Sequence, residues 1–200
     1  MELLLIRHAR PDRSERADGP ADPGLTELGH LQAHALASWL ADERIDALYT
    51  SPLRRARETA APLATRLGLD AVVEPSLAEY DADASSYVPI EELQASGDQR
   101  WAELPEDVVG FQQDVVEGVE RLVTDHASDM IALVCHGGVI NVYLSWVVRS
   151  AHAMFFLPNY TSISRVLAAS SGERSIAAVN ETCHLRVAGV PLTNQPGHAG

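Results

Sequence analysis

The sequence predicts an α/β fold of the three-layer α/β/α class, in which a central, mostly parallel sheet lies between two layers of helices. Short apolar segments typical of buried strands alternate along the chain with longer segments whose apolar residues recur at helical spacing. Residues 3–6 and 130–135 are continuously apolar, as parallel strands covered on both faces are. The chain has 200 residues, 46% of them hydrophobic, so we expect residues 1–200 to form one domain.

The first half of the chain predicts three strands and two helices. Residues 2–6 form the first strand and lead into a loop over 7–24. Thr26 can cap a helix that runs to about Asp42. The apolar face of that helix comprises Leu28, Leu31, Ala35, Leu36, Trp39 and Leu40. The remaining elements are a strand at 46–50, a helix from Pro52 to about Leu67 and a strand at 71–74.

The second half of the chain begins with a segment that we expect to be irregular. Residues 75–105 contain three prolines and one glycine, and we expect them to form a lid or cap. Apolar residues at helical spacing then predict a long helix from about Asp107 to His126. The remaining elements are a buried strand at 130–135, a helix at 139–148, and two strands at 162–168 and 175–179.

The overall charge argues against nucleic acid and membranes as partners. The formal net charge is -13, and a surface this acidic repels polyanions and anionic lipid. The sequence shows no apolar run long enough to cross a membrane and no secretory pattern at its start. Two cysteines are too few for a disulfide framework and suggest no metal site. We therefore expect a cytoplasmic protein that binds neither nucleic acid nor membranes and has no cofactor.

The basic residues are concentrated in two short stretches of this acidic chain. All 15 are arginine; four lie from Arg7 to Arg16, and three more lie from Arg54 to Arg57. One interpretation is that they are exposed arginines that keep the chain soluble. The other is a small anion pocket on a body that otherwise repels anions.

Two histidines follow predicted strands, at the edge where open α/β sheets bind ligands. His8 comes directly after the first strand and is preceded by Arg7. His136 follows the later buried strand and precedes Gly137, where a helix N-terminus favours an anion. Either histidine alone is more often a hydrogen-bonded structural residue. Together, at two strand ends, they favour a site for an anionic substrate.

The order and spacing of several motifs resemble the histidine phosphatase superfamily, also called the phosphoglycerate mutase-like family. Its members have R-H-G after a strand, then L-T-x-x-G-x-x-Q-A, S-x-L-x-R-A-x-x-T-A, L-x-E, H-G-G and a closing N-x-T-x-H-L. The matching segments here are Arg7-His8-Ala9, Leu25 to Ala33, Ser51 to Ala60, Leu77-Ala78-Glu79, His136-Gly137-Gly138 and Asn180 to Leu185. Each match alone is weak, but the ordered series is specific and covers nearly the whole chain. The resemblance implies a phosphoglycerate mutase-like fold.

The resemblance also implies a role for each matching residue. His8 is the nucleophile that takes the phosphoryl group as a phosphohistidine. The phosphate oxygens are bound by Arg7, Arg55, His8, His136 and Gly137. Glu79 is the general acid and base, which protonates the leaving oxygen and then activates water. Cations near His8 lower its pKa and stabilise transition-state charge, so this chemistry requires no metal ion.

Two departures from the family pattern leave alternatives open. Ala9 stands where the family has glycine, and we expect its additional methyl to be tolerated near the phosphate. The mutase-like G-x-W-E-G is absent after Glu79, so Asp81 and Asp83 are alternative proton donors.

The function predicted from the sequence is metal-independent hydrolysis of a small phosphorylated metabolite. The alternatives are a phosphoglycerate mutase-type isomerase, a phosphoprotein phosphatase and a non-catalytic phospholigand-binding protein. We expect substrate specificity to reside in residues 75–105 and in the loop at 10–23. The candidate pocket residues of the first segment are Tyr80, Tyr87, Arg100 and Trp101. A homodimer is left open.

Overall fold

The computed structural model describes residues 1–98 and 106–193. The strands and α-helices of these residues are β1 (Glu2–Arg7), β2 (Ser14–Glu15), α1 (Glu27–Trp39), β3 (Ala47–Thr50), α2 (Arg54–Leu67), β4 (Ala71–Val73), β5 (Ser86–Tyr87), α3 (Ile90–Ser96), α4 (Val108–Asp125), β6 (Met130–Cys135), α5 (Gly137–Val147), β7 (Ile163–Ala168), β8 (Arg174–Glu181) and α6 (Cys183–Ala188). None of the described helices has both the length and the apolar character needed to cross a membrane.

The central sheet has six strands in the order β4-β3-β6-β1-β7-β8. β1 pairs in parallel with β6, and β3 pairs in parallel with both β6 and β4. β7 runs antiparallel to β1, and β8 runs antiparallel to β7. Because β1 and β6 are parallel neighbours, His8 and His136, which follow them, emerge at the same edge of the sheet.

Helices cover both faces of this sheet. α4 and α5 pack on one face in a cluster that includes Leu3 and Leu5 of β1, whereas α1 and α2 pack on the other with Leu4 and Ile6. All four β1 side chains have no exposed surface. The continuous apolar run of β1 thus reflects burial from two sides, and the predicted three-layer α/β/α class is confirmed.

The apolar face predicted for α1 is partly wrong. The helix ends at Trp39, earlier than predicted, and Leu31 and Trp39 are 57% and 44% exposed. The helix instead turns Gly29 and Gln32 towards the loop that follows β1. The side-chain oxygen of Gln32 accepts the N–H of Arg10 at 2.9 Å, and a Cβ on Gly29 would overlap the Arg10 carbonyl oxygen. The close approach of this loop therefore sets the rotation of α1.

The prediction of an irregular segment at 75–105 is also partly wrong. It contains a 3-10 turn at Pro75–Leu77, strand β5 and helix α3, while residues 99–105 lie outside the described part of the chain. β5 pairs antiparallel with β2 in the loop after β1. Elements as short as β5 carry too few residues for a periodic sequence signal. The short helix α6 was likewise not predicted.

Candidate active site

His8 directly follows β1, and only 2% of its surface is exposed. Its ring Nδ1 lies 2.7 Å from the carbonyl oxygen of Ala9. Because a carbonyl oxygen only accepts, Nδ1 carries the proton and Nε2 keeps its lone pair. Burial lowers the pKa of His8 well below its ordinary value, and the charges of Arg55 and Arg7 lower it further. His8 is therefore a neutral imidazole with a nucleophilic nitrogen at its far end.

Two buried arginines lie beside His8, and each is held by an aromatic ring. Arg7 ends β1, stacks 4.2 Å from the ring centre of Tyr160 and donates a hydrogen bond to the carbonyl of Pro158. Arg55 lies in the first turn of α2 and stacks 4.6 Å from the ring centre of Tyr87. These contacts fix both guanidinium groups while using few of their N–H donors.

His136 is the N-cap residue of α5 and has no exposed surface. Its ring centre lies 5.1 Å from that of His8, and its Nε2 lies 2.7 Å from the hydroxyl oxygen of Ser51. That oxygen also accepts the N–H of Leu53. Its own proton is therefore available to His136 Nε2, which leaves the ring proton on Nδ1. Burial lowers the pKa of His136, as do Arg55 and His8.

Three nitrogen donors at this site are buried and unused. Among the described residues, Arg7 Nε, Arg55 Nε and His136 Nδ1 have no hydrogen-bond partner. Leaving a buried donor unsatisfied costs roughly 1–3 kcal/mol, so three in one place point to a ligand that accepts from all of them. They come from β1, from α2 and from the residue that caps α5, and such a set of donors suits an anion with several oxygens, such as a phosphate group.

Glu79 follows the 3-10 turn and lines the same cavity as His8. Its Oε2 accepts the N–H of Gly138 at 2.8 Å, and its Oε1 accepts the N–H of Tyr80 at 3.1 Å. Burial, and then the nearby charge of Asp81, raise the pKa of Glu79 to about 7. This carboxyl group can therefore hold or release a proton near neutral pH.

The two alternative proton donors differ in their placement. Asp81 lines the cavity, with its Oδ1 3.5 Å from a terminal nitrogen of Arg55. Burial raises the pKa of Asp81, whereas the charge of Arg55 lowers it. Asp83 is exposed and is not among the described residues that line the cavity. The structure thus brings Glu79 and Asp81 to the site, but not Asp83.

The site opens into a cavity of about 890 Å³, large enough for a small metabolite. Tyr80 and Tyr87 line it as predicted, while Arg100 and Trp101 lie outside the described residues. None of the described lining residues comes from the loop at 10–23, and a contribution of that loop to specificity stays a prediction. That loop acts indirectly, since its β2 supports the strand that carries Tyr87.

The two arginine stretches are of mixed character. Of the seven arginines, only Arg7 and Arg55 are among the described lining residues of the cavity. Arg10 is buried but pairs with Glu91 of α3 at 2.8 Å. The exposed arginines are Arg13, Arg16, Arg54 and Arg57. The structure thus divides the seven arginines into two that line the cavity, one that is buried in an ion pair and four that are exposed.

The departure at Ala9 is accommodated away from the cavity. Its methyl group is fully buried in a small cluster with Leu25 and Ala33. Its backbone N–H donates to the Thr59 hydroxyl at 2.9 Å, and that hydroxyl donates to the carbonyl of Arg55. Alanine therefore fits here, and the same backbone links the loop after β1 to the helix that carries Arg55.

Sequence reasoning missed several contacts that shape the site. Ser51 lies inside a recognised motif, so its position could have indicated a role, and Gly138 was expected to let backbone amides approach an anion but donates its N–H to Glu79. Tyr160 and Asn141 gave no such signal. Tyr160 reaches Arg7 only because the loop between α5 and β7 crosses the end of the sheet, and Asn141 acts by hydrogen bonding to that loop. In the described part of the chain, no group of three or more His, Cys, Asp or Glu side chains is arranged to hold a metal ion.

Comparison with protein families identifies the class of protein. The model of the histidine phosphatase superfamily (branch 1) matches residues 3–182. The chain therefore belongs to the histidine phosphatase superfamily.

Individual relatives agree with this assignment. The putative phosphoserine phosphatase 2 of Hydrogenobacter thermophilus is 26% identical over 198 residues, which cover 92% of this chain and 97% of the relative. The bifunctional protein Rv2228c of Mycobacterium tuberculosis is 29% identical over 198 residues, or 92% of this chain. The chain spans about half, 54%, of the length of that second relative.

Solved structures share the fold. The native structure of a mycobacterial glucosyl-3-phosphoglycerate phosphatase superposes with a TM-score of 0.74 at 22% identity, covering 90% of this chain and 99% of that chain. This likeness supports the phosphoglycerate mutase-like architecture that the sequence predicted.

Proposed function

We propose that this protein is a phosphatase that hydrolyses a small phosphorylated metabolite through a phosphohistidine at His8. The observation that carries the proposal is the set of buried, unpartnered donors on Arg7, Arg55 and His136 beside the neutral His8 ring. Membership of the histidine phosphatase superfamily supports the class of reaction. The name of the Hydrogenobacter relative, a putative phosphoserine phosphatase, supports a small metabolite as substrate.

In the first step, His8 Nε2 attacks the phosphorus atom while the bond from phosphorus to the leaving oxygen breaks. Glu79 in its protonated form gives its proton to that oxygen, so the substrate leaves as a neutral alcohol. The N–H groups of Arg7, Arg55 and His136 bind the non-bridging oxygens. Removing one such donor typically costs about 10²–10³ in rate.

In the second step, the Glu79 carboxylate takes a proton from water as the water oxygen attacks the phosphohistidine. The new phosphorus–oxygen bond forms, the bond to His8 Nε2 breaks, and inorganic phosphate leaves. His8 and Glu79 return to their starting protonation states. Because the two arginines supply the positive charge, we propose that the cycle requires no metal ion, and activity should survive dialysis against EDTA.

The low pKa of His8 serves this cycle. Burial, Arg55 and Arg7 keep the imidazole neutral, and only the neutral ring has a lone pair for attack. The same cations favour binding of the dianionic substrate. The two arginines therefore both keep the nucleophile neutral and bind the phosphoryl group.

The test is acid-quench trapping of a phosphoenzyme with a 32P-labelled substrate, alongside p-nitrophenyl phosphate hydrolysis. We expect wild-type protein to form an acid-labile, base-stable adduct, and His8→Ala to form none and to lose at least about 10³-fold in rate. His30→Ala, which alters an exposed histidine of α1, is the matched control and should retain both adduct formation and hydrolysis. Unchanged hydrolysis by His8→Ala would overturn the proposal.

The alternative functions predict different results in assays of the same purified protein. Phosphate binding that raises thermal stability, without adduct or turnover, would identify a non-catalytic binder. A robust conversion of 3-phosphoglycerate to 2-phosphoglycerate with a bisphosphate primer would identify an isomerase. Preference for phosphopeptides over all small esters would identify a phosphoprotein phosphatase.

A further inference from the structure

The walls of the cavity beyond the phosphate site are apolar. One wall comes from the end of β5 and from α3, and it consists of Val88, Ile90 and Leu93. The other comes from the loop between α5 and β7, and it consists of Met154, Phe155, Phe156, Leu157 and Pro158. Both walls line the same cavity as His8, so they border the space open to the remainder of a substrate.

The first wall is held at the cavity instead of being packed into the core. α3 has no fully buried residue, although Ile90 and Leu93 are apolar. Glu91 of the same helix receives hydrogen bonds from Arg10 and from the Tyr160 hydroxyl, both at 2.8 Å. These two anchors come from the loop after β1 and from the residue that stacks on Arg7. The helix is thus fixed over the site, with its apolar side chains lining the cavity.

The second wall is preformed by the side chain of Asn141. Its Oδ1 accepts the N–H groups of Phe155 and Phe156 at 2.9 and 3.2 Å, and its Nδ2 donates to the Phe156 carbonyl at 2.9 Å. Phe155 and Leu157 are nevertheless each 45% exposed. Apolar side chains held in place while they remain exposed are typical of a ligand-binding surface.

The charges around the cavity oppose a second anionic group on the substrate. In the described part of the lining, the arginines are Arg7 and Arg55, and both serve the phosphate position. The ionisable acids of that lining, besides Glu79, which the proposed cycle needs protonated when the substrate binds, are Asp81 and Glu106. A carboxylate next to the phosphate, as in phosphoserine or phosphoglycerate, would therefore share the cavity with these two acids and with no described arginine beyond the two at the phosphate position.

We propose that the cavity selects phosphomonoesters whose alcohol portion is apolar and carries no carboxylate. This inference rests on the proposed phosphatase activity of the same site. Burial of an alkyl or aryl group between the two walls supplies the binding energy. The acidic groups of the lining disfavour esters of hydroxy acids and of serine.

The test is a series of n-alkyl phosphates from ethyl to hexyl, with O-phosphoserine and 3-phosphoglycerate as the carboxylated comparison. The alkyl leaving groups have nearly equal basicity, so the chemical step stays constant along the series. We expect kcat/KM to rise about two- to fourfold for each buried methylene group. Both carboxylated esters should be poorer substrates than butyl phosphate. A flat or falling series, or a preference for either carboxylated ester, would overturn the inference.

Variants locate the effect on the two walls. Leu93→Ala and Phe155→Ala should each lower the ratio of hexyl to ethyl phosphate kcat/KM by at least about threefold. Val187→Ala is the control, since Val187 is 73% exposed and lies in a separate groove between α1 and α6. The ratio of hexyl to ethyl phosphate kcat/KM in Val187→Ala should equal that of the wild type. Equal ratios in the wild type and all three variants would contradict the assignment of the two walls as the binding surface. Absence of hydrolysis and of phosphoenzyme for every ester would instead refute the proposed phosphatase.

Discussion

The backbone N–H of Gly138 donates a 2.8 Å hydrogen bond to Oε2 of Glu79, which occupies the space that a side chain at position 138 would need. A Cβ built on Gly138 would overlap Glu79 Oε1. The neighbouring Gly137 differs, because a Cβ there would meet nothing nearer than Arg7 Nε at 3.9 Å. The second glycine of the H-G-G motif is therefore the one that admits the carboxyl group to the start of α5.

This relationship predicts that Gly138→Ala displaces Glu79 without unfolding the protein, since the overlapped atom ends a flexible side chain. A displacement of about 1 Å from productive geometry can cost about 10²-fold, and we expect a loss of that order in kcat for alkyl phosphates. Steady-state kinetics of Gly138→Ala and Gly137→Ala measure the difference. The loss of kcat in Gly138→Ala should exceed the loss in Gly137→Ala by at least about tenfold. Equal losses would show that the activity depends on the backbone flexibility of glycine and not on the space that Gly138 leaves for Glu79.

The pKa of Glu79 predicts the alkaline limb of the pH profile. Because Glu79 must be protonated to act as the acid, kcat/KM for alkyl phosphates, which reports the free enzyme, should fall as the pH rises through about 7. Asp81 raises that pKa, so Asp81→Asn should move the limb to lower pH. The charge of Arg55 and the N–H groups of Gly138 and Tyr80 lower the pKa of Glu79 and remain in the variant.

Profiles of kcat/KM against pH for wild type, Asp81→Asn and Asp83→Asn test this prediction. The exposed Asp83 should leave the limb where it is in the wild type. A limb that stays in place or moves upward in Asp81→Asn would contradict the assignment of Glu79 as the acid. Loss of the limb altogether in Asp81→Asn would identify Asp81 as the acid instead.

The same raised pKa predicts a stability effect with a definite sign. In the unfolded chain Glu79 ionises near 4.5, and in the folded protein near 7. The contribution of neutral Glu79 to the free energy of unfolding is complete below its pKa in the unfolded chain. That contribution is lost as the pH rises through its pKa in the folded protein. Glu79→Gln stays neutral at every pH, but its amide nitrogen cannot accept the second of the two backbone N–H groups, a loss that is present at both pH values. Its melting temperature relative to wild type should therefore be about 2–6 °C higher at about pH 8 than at about pH 4.5.

Thermal melts at the two pH values, compared between variant and wild type, provide the measurement. His8 and His136 have lowered pKa values, so they destabilise the folded state as the pH falls. Their contribution is common to both proteins and cancels in the comparison. A stabilisation of Glu79→Gln that is equal at both pH values would exclude the ionisation of Glu79 as its cause.

Sequence alone could place His8 and His136 because each follows an unmistakable apolar strand, and parallel neighbouring strands end at one edge. Arg55 required the family motif as well, since Arg54 and Arg57 beside it look equivalent in composition. The structure distinguishes them by the rotation of α2, which buries Arg55 and leaves the other two exposed.

The walls of the cavity could not be derived in this way. β5 and α3 are too short for a periodic signal, and their position depends on contacts distant in sequence. One is the pairing of β5 with β2, and the other is the ion pair between Arg10 and Glu91. The preformed loop at Phe155 depends on a single amide side chain from α5. Such contacts follow from the assembled fold and not from any local pattern.

The stacking of Tyr87 on Arg55 gives the last prediction. The guanidinium carbon lies 4.6 Å from the ring centre, and contacts of this kind contribute about 0.5–2 kcal/mol. Tyr87→Ala should let Arg55 move towards Asp81, so that it binds the phosphate less well. We expect KM to rise about 3–10-fold, with a smaller change in kcat.

Tyr87→Phe keeps the aromatic face and removes only the hydroxyl, so it should recover most of the lost affinity. Competitive inhibition by inorganic phosphate gives a second reading that does not depend on the alcohol portion of the substrate. Its inhibition constant should rise in Tyr87→Ala and not in Tyr87→Phe. Equal weakening in both variants would assign the effect to the hydroxyl group. An effect on alkyl esters without one on phosphate would mean that Tyr87 acts as part of the cavity wall and not by positioning Arg55.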